Sequence, residues 1–425
     1  MERIINNSAA SRTSARPLRL AYFVSHPIQY QAPLLRRIAA EPDIDLTVFF
    51  SSDVSVRGHI DPGFGVNVHW DVPLLAGYKY EFLPRIRNAD HLSFFRPLNW
   101  GFIRRLRGKF DVVWIHGYAT LSALQAILAA RLLGIPVLMR TDSTLFDRPR
   151  STGKRLVKRV FFRGLEHCVD GVLTIGSANL EYWQYYFGDR VPTFRLNYAV
   201  DNQFFQSRCR EAAKKRDFMR RQLGLQEERP VILFASKLLE RKRCSDLLEA
   251  FLRLDSNRDD RPYLLIVGDG EERPKLVKRA EAARMGDVRF LGFQNQSSLP
   301  AFFDLCDVFV LVSVDEPWGL IINEVMNAGK PVIVSTEVGC QKDLVENEVN
   351  GYVVESGDID GLASGLRRIL GDRPTAHRMG MKSLEIIQAY SFQQNVSELR
   401  RALETLVPGF DANREQVPFT NANLA

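Results

Sequence analysis

The chain has 425 residues, 45% hydrophobic and 25% charged, with a formal net charge of +7. This is the composition of a soluble globular protein of two or three domains and excludes a fibrous, disordered or low-complexity chain. The five cysteines are scattered, with no Cys-x-x-Cys and no His/Cys cluster, so neither zinc nor a disulfide framework is expected and a reducing, cytoplasmic compartment fits.

Residues 1–17 are polar, lack the apolar centre of a signal peptide and are expected to be mobile. From residue 18 the pattern alternates. Short apolar runs at 18–24, 46–50, 112–115, 136–139 and 171–175 read as buried strands, and helical spacing follows at 30–40, 121–133 and 179–187. The longest apolar run, 121–139, is interrupted by Arg131 and Pro136 and is too broken to span a bilayer. A turn-prone stretch at 197–201 precedes a charged helix expected at 210–223. A second series then begins, with strands at 231–235, 263–267, 288–291, 308–312, 331–335 and 352–354 and helices between them and at 359–370. Alternation at this spacing implies parallel sheets covered on both faces, hence an α/β chain of two doubly wound, Rossmann-like domains. Ligands of such sheets bind outside the carboxyl ends of the strands.

Chemistry-bearing residues stand at those ends. Ser25 and His26 follow the first strand and open a helix, where backbone donors suit a phosphate or an acceptor. His116 closes the strand at 112–115, and a histidine there hydrogen-bonds a hydroxyl or a phosphate oxygen. Arg140 and Asp142 end the next strand and face the same cleft. In the second series Lys237 and Lys242 follow the strand at 231–235, where two ammonium groups hold a diphosphate and stabilise its charge as it leaves. The run Gly268-Asp269-Gly270 lacks the third glycine of a dinucleotide fingerprint, since Arg273 stands there, which disfavours NAD or FAD and an oxidoreductase.

The stretch Asp-Glu-Pro-Trp-Gly-Leu-Ile-Ile-Asn-Glu from Asp315 is the most informative. Pro317 suits a helix start, so a helix is predicted from Trp318, with the backbone N–H groups of Trp318, Gly319 and Leu320 free to meet an anion. Glu316 would sit on the preceding loop tip and Glu324 two turns on, about 12 Å along the axis. That spacing suits a nucleotide sugar.

Glu316-x7-Glu324 followed by Ala328-Gly329-Lys330-Pro331 resembles the signature of the family 4 (group 1) retaining glycosyltransferases of GT-B fold. The resemblance covers roughly 18–406 and is strongest over 231–370. It implies transfer of a sugar from a UDP-, GDP- or ADP-sugar to a glycan or lipid-linked acceptor with retention of configuration, as in surface polysaccharide synthesis. It assigns Glu316 to donor-sugar hydroxyls, Glu324 to the ribose and His116 to the reacting centre. Gly268 would shape the donor cleft, and the segment around Phe293 would read the base. Ser236 and Lys237 depart from the family's usual Gly-Arg, and the loop at Ser25 and His26 lacks the usual glycines but resembles a subgroup with a His-Pro-Ile-Gln-Tyr start. The implied domains are 18–200 on the acceptor side and 201–387 for the donor, with a helix at 388–407 returning to the first domain and a mobile tail at 408–425. No Asp-x-Asp motif stands at a strand end, so no metal and no cofactor are expected.

The positive charge belongs to the first half: residues 1–200 hold 26 Lys+Arg against 16 Asp+Glu, and the remainder 31 against 34. Seven basic residues lie in 85–109 and seven in 148–163, and in the latter Leu156, Val157, Val160, Phe161 and Leu165 recur at helical spacing. A basic amphipathic helix suits an anionic membrane surface, which makes a peripheral location on the cytoplasmic membrane face an expectation. A GT-B nucleotide-sugar epimerase or hydrolase is the alternative activity. A basic nucleic-acid-binding protein is a remote one, since no helix-turn-helix or stacking-aromatic signature is present, and no nucleic-acid partner is expected.

Overall fold

The computed structural model describes residues 16–61, 63–68, 70–86, 92–146, 152–254, 261–283 and 286–414. The expected mobile tails at 1–15 and 415–425, together with Arg87, Arg148 and Arg150, lie outside them.

In chain order the strands are β1 Leu18–Val24, β2 Ile44–Phe50, β3 His59–Asp61, β4 Val66–Val68, β5 Lys79–Phe82, β6 Val112–His116, β7 Val137–Arg140, β8 Gly171–Thr174 and β9 Thr193–Arg195. The second set is β10 Val231–Ala235, β11 Tyr263–Val267, β12 Val288–Phe290, β13 Val308–Leu311, β14 Val332–Ser335 and β15 Gly351–Val354. Seven of the first nine form a parallel sheet in the order β5-β2-β1-β6-β7-β8-β9, and the last six form another in the order β12-β11-β10-β13-β14-β15. The remaining pair, β3 and β4, is an antiparallel hairpin. Every residue of β10, β11, β13 and β14 is buried, which follows from helices covering both sheet faces. Strand order reverses between β1 and β6 in one sheet and between β10 and β13 in the other, and each reversal opens a crevice at the strands' carboxyl ends.

The sequence pattern missed β5, β9 and the hairpin. The edge strands β5 and β9 are short, four and three residues, and β5 exposes residues on both faces, so they carry little apolar periodicity. The charged helix expected at 210–223 is two helices, Asn202–Ala213 and Arg216–Gln222. The first starts earlier than expected because Asp201 caps it, its carboxylate accepting from the Phe204 N–H at 2.9 Å.

The helix Phe392–Leu406 leaves the second domain and packs in the core of the first, where Phe392, Val396, Leu399, Ala402 and Leu403 join Leu20, Leu34 and Leu46. A buried ionic knot fixes it. The guanidinium of Arg400, fully enclosed, bonds both Asp43 oxygens at 2.9 and 2.7 Å and reaches Glu41 at 3.4 Å. Glu41 in turn pairs with buried Arg37. Within the tail from 408, expected to be mobile, residues 410–412 contact the same arginine, which donates to the Asp411 and Ala412 carbonyls and stands 5.3 Å from the Phe410 ring centroid.

Candidate active site

Both crevices open onto one cleft. On the second domain's side, β13 leads into Glu316 and β10 into the turn carrying Arg241 and Lys242. Lys242 is buried and its ammonium pairs with the Glu316 carboxylate, while the Arg241 guanidinium reaches the same oxygen at 3.4 Å. Burial pulls the Lys242 ammonium below its ordinary pKa, and Glu316 opposes that shift. Arg243 and Asp315, next to the two partners, have φ of +52° and +49°. Left-handed backbone costs a non-glycine residue roughly 1–2 kcal/mol, so the fold spends stability to aim this pair.

The helix predicted from Trp318 begins instead at Ile321 and runs only to Met326. Gly319 breaks it: its φ is +88°, and a Cβ there would lie 2.9 Å from Val338 and 3.0 Å from Leu311. The amides of Trp318, Gly319 and Leu320 donate to no backbone or side-chain acceptor among the described residues, but they line a turn rather than a helix's first coil. Trp318 is not a cavity wall. Its indole is buried against Gly176 of the first domain, donates to Asn323 at 2.7 Å, and Asn323 donates to the Tyr198 carbonyl at 3.1 Å. Nothing in the sequence separated this structural role from a donor contact.

Beside the ion pair lies a cavity of about 300 Å³ lined by residues that include Ser236, Gly268, Phe293, Leu320 and Glu324 from the second domain and Tyr30, Phe64 and Trp70 from the first. Gly268 is required: with φ +129°, a Cβ would sit 1.9 Å from the Ser236 carbonyl oxygen. Glu324 is buried on the helix Ile321–Met326 and has no hydrogen-bond or ion-pair partner among the described residues. Desolvation alone pushes its carboxyl up to about 8. Lys237 stands at the cavity's edge, its ammonium 4.9 Å from the Phe64 ring centroid. Phe64 and Trp70 went unread in the sequence; the partners of Phe64, Lys237 and Phe293, lie in the other domain. Tyr30 ends the motif that Ser25 opens, and that position was the available signal.

The first domain supplies the opposite wall. His116 ends β6 and lies within 3.3 Å of the Gln31 amide, which accepts from the Tyr22 hydroxyl at 2.7 Å. Burial, with help from Arg140 and His26, pulls the His116 imidazole down to about 3, so it is neutral at physiological pH. Ser25 and His26 are paired through Oγ and Nδ1 at 2.8 Å. Arg140 is fully buried, donates to the Leu196 carbonyl at 2.8 Å and lies 4.8 Å from the Tyr198 ring centroid, so it braces the wall and does not project into the cleft. Asp142 opens onto the cleft; desolvation raises its carboxyl, Glu316 adds to the rise, and Arg140 opposes it.

The basic helix is Thr152–Leu165. Its apolar residues divide: Phe162 and Leu165 are core, while Leu156, Val157 and Val160 are 63%, 70% and 66% exposed. Ile103, Leu128 and Leu132 are also exposed, on helices covering the same sheet face, as is Trp100 just before the first of them, and Arg104 and Arg107 line the groove between them. No helix among the described residues is long and apolar enough to cross a membrane.

Residues 215–385 match the family profile "Glycosyl transferases group 1". A lipopolysaccharide core biosynthesis glycosyltransferase, LpsE of Rhizobium meliloti, is 34% identical over 169 residues, 40% of this chain and 47% of LpsE; the match thus spans about half that relative's length. A GDP-mannose-dependent phosphatidylinositol monomannoside mannosyltransferase of Mycobacterium tuberculosis is 29% identical over 82% of this chain and 88% of its own. Among solved structures, Anabaena HepE in complex with UDP superposes with a TM-score of 0.68 at 16% identity, over 92% of this chain and all of HepE. The chain therefore has the GT-B fold, and its residues 215–385 match the group 1 glycosyltransferases.

Proposed function

We propose that this chain transfers a sugar from a nucleoside-diphosphate sugar to a glycan or lipid-linked acceptor. One observation carries the reading: a cavity holding an unpartnered buried carboxyl and a lysine–glutamate pair both stand at the strand ends where the sheets reverse strand order. The ribose hydroxyls donate to Glu324, which then ionises. Lys242, Arg241 and Lys237 take the diphosphate charge, and Glu316 turns to the sugar hydroxyls. HepE, which binds UDP, and relatives that act on lipid-linked or lipopolysaccharide acceptors support the same direction.

In the transfer itself the bond from the anomeric carbon to the diphosphate oxygen breaks as the acceptor oxygen attacks, and the departing phosphate takes the acceptor's proton. Retention of configuration and family 4 membership are part of the proposal. The three cations on the diphosphate side supply the charge neutralisation, so no divalent metal is needed. His116, neutral, serves by hydrogen bonding, not as an acid. The exposed apolar residues among basic ones on the first domain suit a cytoplasmic membrane surface where a lipid-linked acceptor would wait.

Thermal-shift titration with UDP-, GDP- and ADP-sugars tests the donor, and product analysis with and without acceptor separates transfer from hydrolysis or epimerisation. If the protein binds none of these nucleotides, the reading is wrong.

A further inference from the structure

The hairpin β3–β4 belongs to neither sheet, yet its tip crosses the cleft. The Gly63 carbonyl oxygen abuts Gly270 of the second domain, 2.9 Å from where a Cβ would stand. The Phe64 ring meets Phe293 edge-on with centroids 4.8 Å apart, and the Lys237 ammonium lies over the same ring. Just beyond the hairpin, the Asp71 carboxylate accepts from the Ser297 N–H at 3.2 Å and also from its hydroxyl. Four contacts therefore tie Gly63, Phe64 and Asp71 of one domain to three separate loops of the other.

The cavity under this bridge is polarised. Glu324 and the loop bearing Lys237 mark one stretch, and the rest is walled by Phe64, Trp70 and Phe293 beside Gln294 and Gln296. The Gln296 amide oxygen is buried and has no hydrogen-bond partner among the described residues. Aromatic walls with an unpaired acceptor fit a flat heterocycle bearing N–H groups. We infer that residues 63–68 with Trp70 and Asp71 form a strap that closes over the nucleobase of the donor, with Phe64 as a positioning residue that packs the base and seats Lys237 toward the diphosphate. This deepens the donor reading above and rests on it. Because Phe64 touches both the base pocket and the lysine, base recognition and charge neutralisation become one closure event.

The test uses the full chain and isothermal titration with UDP, GDP, ADP and inorganic pyrophosphate. Stacking of a base on an aromatic ring contributes enough for Phe64→Ala to weaken the best-bound nucleoside diphosphate roughly tenfold or more. Phe64→Tyr should restore binding to within about threefold, since the ring is kept. Asp71→Asn, which alters the strap's tether outside the cavity, should also weaken that nucleotide while changing pyrophosphate affinity less. Glu324→Gln is the control. If it loses nucleotide affinity while Phe64→Ala and Asp71→Asn bind within twofold of the unmodified protein, the strap is refuted and the donor site stands. If the unmodified chain binds pyrophosphate as tightly as every nucleotide, or binds no nucleotide, both fall.

Discussion

Replacing Glu324 with glutamine should stabilise the nucleotide-free protein increasingly as pH rises. The carboxyl is buried without a partner, and its pKa is pushed from the ordinary 4.5 to about 8. Between those values the folded state keeps a proton that the unfolded chain has released, so stability is full below pH 4.5 and falls as pH climbs toward 8. The slope is about 1.4 kcal/mol per pH unit, which makes the loss about 3 kcal/mol between pH 5 and pH 7. Glutamine carries no such slope. Burying its amide costs about 1–3 kcal/mol at every pH, which shifts the whole curve but cannot tilt it. The assay is thermal denaturation of both proteins from pH 5 to pH 8, where each kcal/mol moves the midpoint by roughly 2–4 °C for a domain of this size. Parallel curves would show that Glu324 is not desolvated as described. Nucleotide affinity should move the other way: hydroxyls that donate to the ionised carboxylate favour it, so binding to the unmodified protein strengthens up to about pH 8, and binding to Glu324→Gln stays flat.

Lys242→Ala should lower transfer on the order of 10²–10³-fold, read as turnover at saturating donor. Glu316→Gln strands the buried Lys242 ammonium and should destabilise the fold by about 3–5 kcal/mol, Lys242→Met should cost less because Arg241 still reaches Glu316 at 3.4 Å, and the double variant should cost less than their sum; chemical denaturation of the three variants measures the coupling. Transfer should persist in EDTA, and near-complete loss restored by Mg²⁺ or Mn²⁺ would refute the cationic account of leaving-group stabilisation. Replacing Leu156 and Val160 with aspartate should reduce co-sedimentation with phosphatidylglycerol vesicles without lowering the melting midpoint, because both side chains are exposed.

The twin parallel sheets were legible because their central strands are unbroken apolar runs, and of the residues singled out from sequence Gly268, Phe293, Leu320 and Glu324 line one cavity. What escaped was of two kinds. Local geometry at Gly319, with φ +88°, overrode the helix signal of Pro317, and the residues that leave no room for a Cβ there, Val338 and Leu311, come from elsewhere in the chain. Cross-domain contacts were silent for the same reason: Phe64 and Phe293 are ordinary aromatics until the fold sets them 4.8 Å apart. Burial also changed meanings. The sequence offered Glu324 as a carboxylate, and the structure buries it without a partner among the described residues, which pushes its pKa up to about 8.

The helix that returns to the first domain makes the donor-side domain an interior passage of the chain, entered near 200 and left near 388. The two junctions are neighbours, for the Asn202 amide donates to the carbonyls of Ile387 and Tyr390 at 3.1 and 3.2 Å. A cut at residue 200 alone would leave the first half with an uncovered apolar face and insoluble. Donor preference is better exchanged as a cassette, by grafting a foreign 201–387 between two seams that already touch.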